Sequence, residues 1–192
     1  DTKRARLDTC RMTFERWAYG GLVGREHSER RKKEPTMTEI LQPGERAPHF
    51  TLRVTADQSL SSDELLGKPV VLAFYPADWS PVCGDQLSVI NEALPLIRAR
   101  GAQVVAVSVD NVWSHEAFTA AHSLHFPLLS DFEPKGAVAR LFGAYDDAVG
   151  EARRALFVID PAGVIAWSYL APVAVNPGVD GVLDALDTLT HN

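Results

Sequence analysis

Residues 70–75 read Val-Val-Leu-Ala-Phe-Tyr, six apolar side chains with no polar alternation. A strand with one wet face alternates in polarity, so an unbroken run of this length points to a strand buried on both faces. Residues 103–109, Gln-Val-Val-Ala-Val-Ser-Val, read as a second central strand. Strands of this kind need helices on both sides of their sheet, and the expected class is α/β.

From Met37 onward strand and helix signals alternate. An extended piece is expected over residues 48–54 and a brief helical turn over 62–66. A helix is expected over 82–100, with Leu87, Ile90, Leu94 and Ile97 three or four apart and a kink at Pro95. A further helix over 114–122 would be capped by Ser114. A short strand over 126–129 precedes a helix over 134–142 that ends at Gly143. Strands over 155–159 and 164–169 are joined by Asp160-Pro161-Ala162-Gly163, a turn signal. An amphipathic helix over 179–189 closes the order, with Val182, Leu183, Leu186 and Leu189 on one side. This order predicts a mixed central sheet flanked by helices, parallel first and ending in a hairpin, which is a thioredoxin-like arrangement.

Charge divides the chain. Residues 1–36 carry a balance of +4 and residues 37–192 a balance of −10, for a net charge of −6. Residues 1–36 also lack a sustained hydrophobic period and read as an N-terminal extension, either a disordered arm or the product of a mis-assigned start. Residues 37–192 read as the one folded domain. An acidic body argues against binding nucleic acid through its phosphates. The basic run Arg30-Arg31-Lys32-Lys33 reads as part of a solvated tail. No apolar stretch approaches the roughly 20 residues of a membrane span. Two cysteines, Cys10 and Cys83, make no disulfide framework, and no apolar leader region is visible, so the expected location is the cytoplasm.

Cys83 follows the first central strand as a helix begins, in the run Pro76-Ala77-Asp78-Trp79-Ser80-Pro81-Val82-Cys83-Gly84-Asp85-Gln86. A thiol at a helix N-terminus meets unpaired backbone N–H groups and the positive end of the helix dipole, and both favour the thiolate. Ser80 places a hydroxyl three residues before the sulfur, where both can touch one substrate atom. A lone cysteine is most often a small buried hydrophobe. The polar residues after Cys83 and the prolines that fix the backbone before it weigh against that reading.

On these residues the chain resembles the peroxiredoxins, thiol peroxidases of the thioredoxin superfamily, over roughly residues 39–192. Pro76, Ser80 and Cys83 match the core motif Pro-x-x-x-Thr/Ser-x-x-Cys. Arg154, Phe157, Ile159 and Asp160 match an arginine that leads into a strand. Residues 105–110 and 126–131 are similar to further family stretches.

The resemblance implies that Cys83 attacks the peroxide O–O bond and becomes a sulfenic acid. It implies that Arg154 stabilises the thiolate and orients the peroxide, that the Ser80 hydroxyl bonds the peroxide, and that Pro76 shields the sulfur from water. The backbone N–H groups of Val82 and Cys83 would complete a polar cradle, and Trp79 would wall it. Gln86, where family members commonly have Glu or Gln, would hold Arg154 without an ion pair. No metal, flavin or haem is implied.

The resolving cysteine is the departure. The position five residues after Cys83 is Ser88, and no cysteine follows Cys83. Cys10 would resolve only if the N-terminal arm reached the site, and the chain is otherwise similar to the one-cysteine group that includes alkyl hydroperoxide reductase E. The implied reductant is an external thiol: a low-molecular-weight thiol with a glutaredoxin-like protein, or thioredoxin. A homodimer or larger homo-oligomer is implied as well. Two other readings are weaker. A thiol–disulfide oxidoreductase of this fold needs Cys-x-x-Cys, and Gln86 stands at the second position. A non-catalytic thioredoxin-like scaffold or chaperone predicts an ordinary thiol at Cys83. His115, His122 and His125 read as surface histidines rather than metal ligands.

Overall fold

The unbroken apolar run becomes β3 (Val70–Phe74), an interior strand of a seven-stranded sheet, and its five residues are all buried. The computed structural model describes residues 39–190. The proposed extension over residues 1–36, with Cys10, lies outside them. β3 runs parallel to β4 (Gln103–Ser108), and β4 runs parallel to β5 (Leu128–Ser130). On the other side β8 (Ala155–Ile159) pairs antiparallel with β3, and β9 (Ile165–Leu170) returns antiparallel to β8. The sheet is mixed and closes in a hairpin, as the order of sequence signals predicts.

Two short strands extend the far edge. β1 (Thr51–Arg53) pairs antiparallel with β5, and β2 (Ser59–Ser61) pairs antiparallel with β1. A small separate hairpin joins β6 (Tyr145–Asp146) to β7 (Glu151–Ala152). Neither β2 nor this hairpin is foreseen in the sequence, because two or three half-polar residues carry no readable period.

The alternation of side chains along β3 sorts the core into two layers. Val71, Ala73 and Tyr75 pack with the helices α1 (Pro81–Glu92), α2 (Leu94–Ala99), α3 (Val112–His122) and α5 (Asp180–Thr190). Val70, Leu72 and Phe74 face the opposite layer, which holds α4 (Ala137–Leu141) and Leu65 of a 3₁₀ turn, Ser62–Leu65. Phe74, Phe142 and Phe157 meet there with ring centroids 5.3–5.9 Å apart.

Two expectations are corrected. The single kinked helix over 82–100 is two helices, broken at Ala93, because Pro95 has no N–H to continue the ladder and sits in the first turn of α2. Helix α3 begins earlier than expected and is capped by Asn111 rather than Ser114. The Asn111 Oδ1 accepts the N–H groups of Trp113 and Ser114, at 3.1 and 3.0 Å.

Candidate active site

Strand register brings the site together. Phe74 pairs with Ala155 across the antiparallel β3–β8 ladder, so the chain leaving β3 passes Arg154 as it enters β8. Residues 71 apart in sequence thereby meet at one end of the sheet.

Ser80 is the N-cap of α1, Pro81 opens the helix, and Cys83 lies in its first turn. The first helical bond runs from the Gly84 N–H to the Ser80 carbonyl, 2.9 Å. The N–H groups of Val82 and Cys83 therefore precede the ladder, as they do at any helix start, and are available to an anion. The Ser80 hydroxyl makes no capping bond and is likewise uncommitted to the helix. Gly84 packs closely on α3: a Cβ there would lie 3.0 Å from Cε1 of His122, a tight contact that the imidazole would have to relieve.

Cys83 is a buried free thiol. Arg154, 2% exposed, donates from Nη2 to Cys83 Sγ at 3.3 Å. Its Nη1 donates to Gln86 Oε1, and its Nε donates to the Val173 carbonyl at 3.1 Å. Two of its three donor nitrogens are thus held by neutral oxygens, and no carboxylate pairs with Arg154 among the described residues. The guanidinium charge is left to face the sulfur in a site of low polarity, where it counts for more than in water. Gln86 is also fully buried, and its Nε2 has no partner among the described residues.

A cleft of about 330 Å³ opens beside this group, lined by Pro76, Val149, Arg154, Leu170, Pro172 and Val173 among others. Arg153 lines the same cleft but points elsewhere: its Nη1 donates to the Gly143 carbonyl at 3.1 Å, so Arg154 alone of the two reaches the sulfur. Trp79 does not line this cleft. Trp79 is 57% exposed, and its indole lies against α3, T-shaped to Phe118 at 5.3 Å, with Nε1 donating to Ser114 Oγ at 3.3 Å.

Trp79 has φ 63°, a left-handed conformation that costs an L-residue about 1–2 kcal/mol. Such a conformation persists only where its surroundings impose it. Beside it, Tyr75, Asp78 and His115 form a buried polar cluster that sequence reasoning misses. The Tyr75 hydroxyl donates to Asp78 Oδ1 at 2.8 Å, and His115 Nδ1 lies 3.0 Å from Asp78 Oδ2. Burial pushes the Asp78 carboxyl up, but the His115 bond and charge, with bonds from Ser114 and Tyr75, together hold it below the usual range. Burial, reinforced by the Asp78 charge, holds the Tyr75 proton on well above the ordinary phenol range.

His115 is thus a core residue and not a surface histidine, whereas His125 is exposed. No group of three metal-ligating side chains gathers among the described residues.

Residues 43–168 match the model of the AhpC/TSA family. The chain is 33% identical to alkyl hydroperoxide reductase E of Mycobacterium tuberculosis over 132 residues, covering 68% of this chain and 86% of that protein. It is 30% identical to a putative peroxiredoxin of Synechocystis over 165 residues, 81% and 82% of the two chains. Among solved structures, it superposes on peroxidoxin BcpB of Mycobacterium tuberculosis with a TM-score of 0.71 at 26% identity, covering 78% of this chain and 98% of that one. AhpC of Enterococcus faecalis gives a TM-score of 0.72 at 27% identity, with 78% and 93% covered. With the motif of Cys83 and the fold that carries it, these matches establish that the chain belongs to the AhpC/TSA family, the peroxiredoxins.

Proposed function

We propose that this thiol-dependent peroxidase works through Cys83 as the peroxidatic sulfur, acting on hydrogen peroxide and small organic hydroperoxides. The observation that carries the reading is the Arg154 Nη2 to Cys83 Sγ contact of 3.3 Å, made by a guanidinium with no counter-charge among the described residues.

The Cys83 thiolate attacks the terminal oxygen of R–O–O–H. The S–O bond forms as the O–O bond breaks, the sulfur is oxidised to Cys–S–OH, and the leaving alkoxide takes a proton to become R–OH. With hydrogen peroxide the leaving group is hydroxide, which becomes water. Negative charge moves from sulfur onto the departing oxygen. Arg154, the N–H groups of Val82 and Cys83, and the Ser80 hydroxyl are the donors that can follow it. Pro76, at the cleft wall, limits water at the sulfur.

Reduction falls to an external thiol. Cys–S–OH and R′–SH condense to a mixed disulfide and water, and a second thiol releases Cys83 and R′–S–S–R″. Ser88 in place of a cysteine on α1 supports this, as does the absence of any cysteine after Cys83 in the sequence. Low-molecular-weight thiols with a glutaredoxin-like protein, or thioredoxin, are the reductants in view. That need for thiol supports a cytoplasmic setting. Self-association is part of the reading, supported by Trp113 and Phe132, both more than half exposed beside one cleft. Light scattering of the purified protein would show a monomer if that part is wrong.

The test is stopped-flow tryptophan fluorescence of reduced protein against hydrogen peroxide, beside Cys83→Ser. The expected result is a signal linear in peroxide that the variant lacks, with a dimedone-trapped sulfenic acid on Cys83 by mass. A rate no faster than that of a free thiol, and indifferent to Cys83, would overturn the assignment.

A further inference from the structure

One helix grips the turn that carries the sulfur. His115, Phe118 and His122 recur at i, i+3 and i+7 along one face of α3, and each meets a different residue of the segment around Cys83. His115 Nδ1 faces the Asp78 carboxylate at 3.0 and 3.2 Å and the Tyr75 hydroxyl at 3.3 Å. Phe118 meets the Trp79 indole in a T-shaped contact. His122 closes on Gly84, immediately after the sulfur, so tightly that a Cβ there would lie 3.0 Å from its Cε1.

The other side of the turn is tied to the end of β4. The Asp78 N–H donates to Asp110 Oδ2 at 2.8 Å, and the Ser108 hydroxyl fixes the same oxygen at 2.7 Å. The left-handed Trp79 lies between these ties.

A buried polar pair is a poor way to gain stability, since apolar side chains of similar volume often do as well or better. This pair also buries His115 Nε2 with no partner among the described residues. What hydrogen bonds add over apolar packing is direction. We propose that Asp78 and His115, with Tyr75, are positioning residues: they set the turn that fixes Cys83 Sγ against Arg154 and the first N–H groups of α1. The proposal rests on Cys83 being the peroxidatic sulfur, and none of the three side chains is assigned a contact with the peroxide.

Two rates at Cys83 separate this role from general support of the fold. Reaction with peroxide needs the sulfur, the O–O bond and the donors in one geometry, whereas alkylation by iodoacetamide needs only an accessible thiolate. Asp78→Ala and His115→Leu are expected to slow the peroxide reaction roughly 10- to 100-fold, the loss that follows a misplacement of about 1 Å. Alkylation of the same variants should stay at or above the wild-type rate. His115→Asn, whose amide nitrogen can stand where Nδ1 stands, should recover most of the peroxide rate.

Ser114→Ala removes the acceptor of the Trp79 indole and the Ser114 bond to Asp78, and it puts a good helix former in the first turn of α3, so the fold is kept. It should show a smaller loss, again confined to peroxide. If the Asp78 and His115 variants fail to fold, Ser114→Ala decides, and an unchanged peroxide rate there overturns the proposal. Parallel loss of both rates in folded variants, or no loss in either, overturns it as well. A wild-type protein with no Cys83-dependent peroxide reaction would instead overturn the assignment of the sulfur itself.

Discussion

Gln86 holds Arg154 through a neutral amide: Nη1 of the arginine donates to Oε1 of the glutamine, one helical turn after the cysteine that Nη2 reaches. The tether fixes the guanidinium without cancelling its charge. The amide also buries a donor, Nε2, that finds no partner among the described residues.

Replacing Gln86 by Met tests which property matters. The change strands Arg154 Nη1 but also removes the unpaired Nε2, two effects of opposite sign and each about 1–3 kcal/mol. Urea denaturation should therefore move by no more than about 1–2 kcal/mol. The peroxide rate should fall by roughly tenfold, because the guanidinium loses one of the bonds that aim it. An unchanged rate would show that Cys83 and Val173 alone suffice to place Arg154.

Arg154 itself separates charge from shape. In Arg154→Met the charge beside the sulfur is gone, and the peroxide rate should drop on the order of 100- to 1,000-fold, as for the loss of a preorganised donor. Arg154→Lys keeps the charge. A single ammonium on a flexible stem cannot serve Sγ, the Gln86 oxygen and the Val173 carbonyl together, so its rate should lie between the two. Stopped-flow rates at one pH decide this, and a lysine variant as fast as wild type would show that the fork geometry is dispensable.

The architecture is legible in the sequence where residues are uniformly apolar or sharply punctuated. β3 announces itself by six apolar residues, and β8 is foreseen with both its ends, because its five residues are buried on both faces. Cys83 is legible from its place at a helix start, and Pro76, Ser80 and Arg154 through the family motifs that they match. The contact between Gln86 and Arg154 is foreseen as a neutral tether and found as one.

What the sequence hides is contact across elements. Asn111 and Ser114 are both plausible caps, and only the path of the chain out of β4 selects Asn111. His115 sits among polar neighbours on a helix whose period is weak, so nothing local marks it as buried. Its partner Asp78 is 37 residues away, and the two meet because β3 and β4 are neighbours in the sheet. A charged residue inside a catalytic motif with no assigned chemistry, as Asp78 is, was the one available signal.

Gly143 offers a test of the fold beyond the site. It ends the segment after α4 with φ 67°, and a Cβ there would come within 2.1 Å of the Glu39 carbonyl oxygen. The adjacent chain is already fixed by the Leu41 N–H bond to the Phe142 carbonyl, 3.1 Å, so the backbone has little freedom to withdraw. Gly143→Ala should cost about 2–4 kcal/mol in urea denaturation, from backbone strain and the clash together. A loss below about 1 kcal/mol would mean that the segment at Glu39 yields easily.

Asp78 and Tyr75 set opposite limbs of the stability profile. The Asp78 carboxyl, although burial pushes it up, is held below the usual range by His115, Ser114 and Tyr75. Its stabilisation is therefore complete above the unfolded value of about 3.9 and is lost as pH falls through the lower folded one. Burial and then the Asp78 charge raise Tyr75, so its contribution is complete below the unfolded value of about 10 and is lost as pH rises beyond it. Asp131 opposes Asp78 on the acid side. Burial raises its carboxyl despite the amides of Ala139, Val138 and Ala137, so its contribution grows as pH falls. Unfolding free energy measured from pH 7 to 3 should thus fall less steeply in Asp78→Asn than in wild type, by no more than about 1 kcal/mol, because pH 3 lies only about one unit below the unfolded value. In Tyr75→Phe the decline above about pH 10 should shrink. Equal acid slopes in wild type and Asp78→Asn would mean that the carboxylate is not held ionised by the cluster.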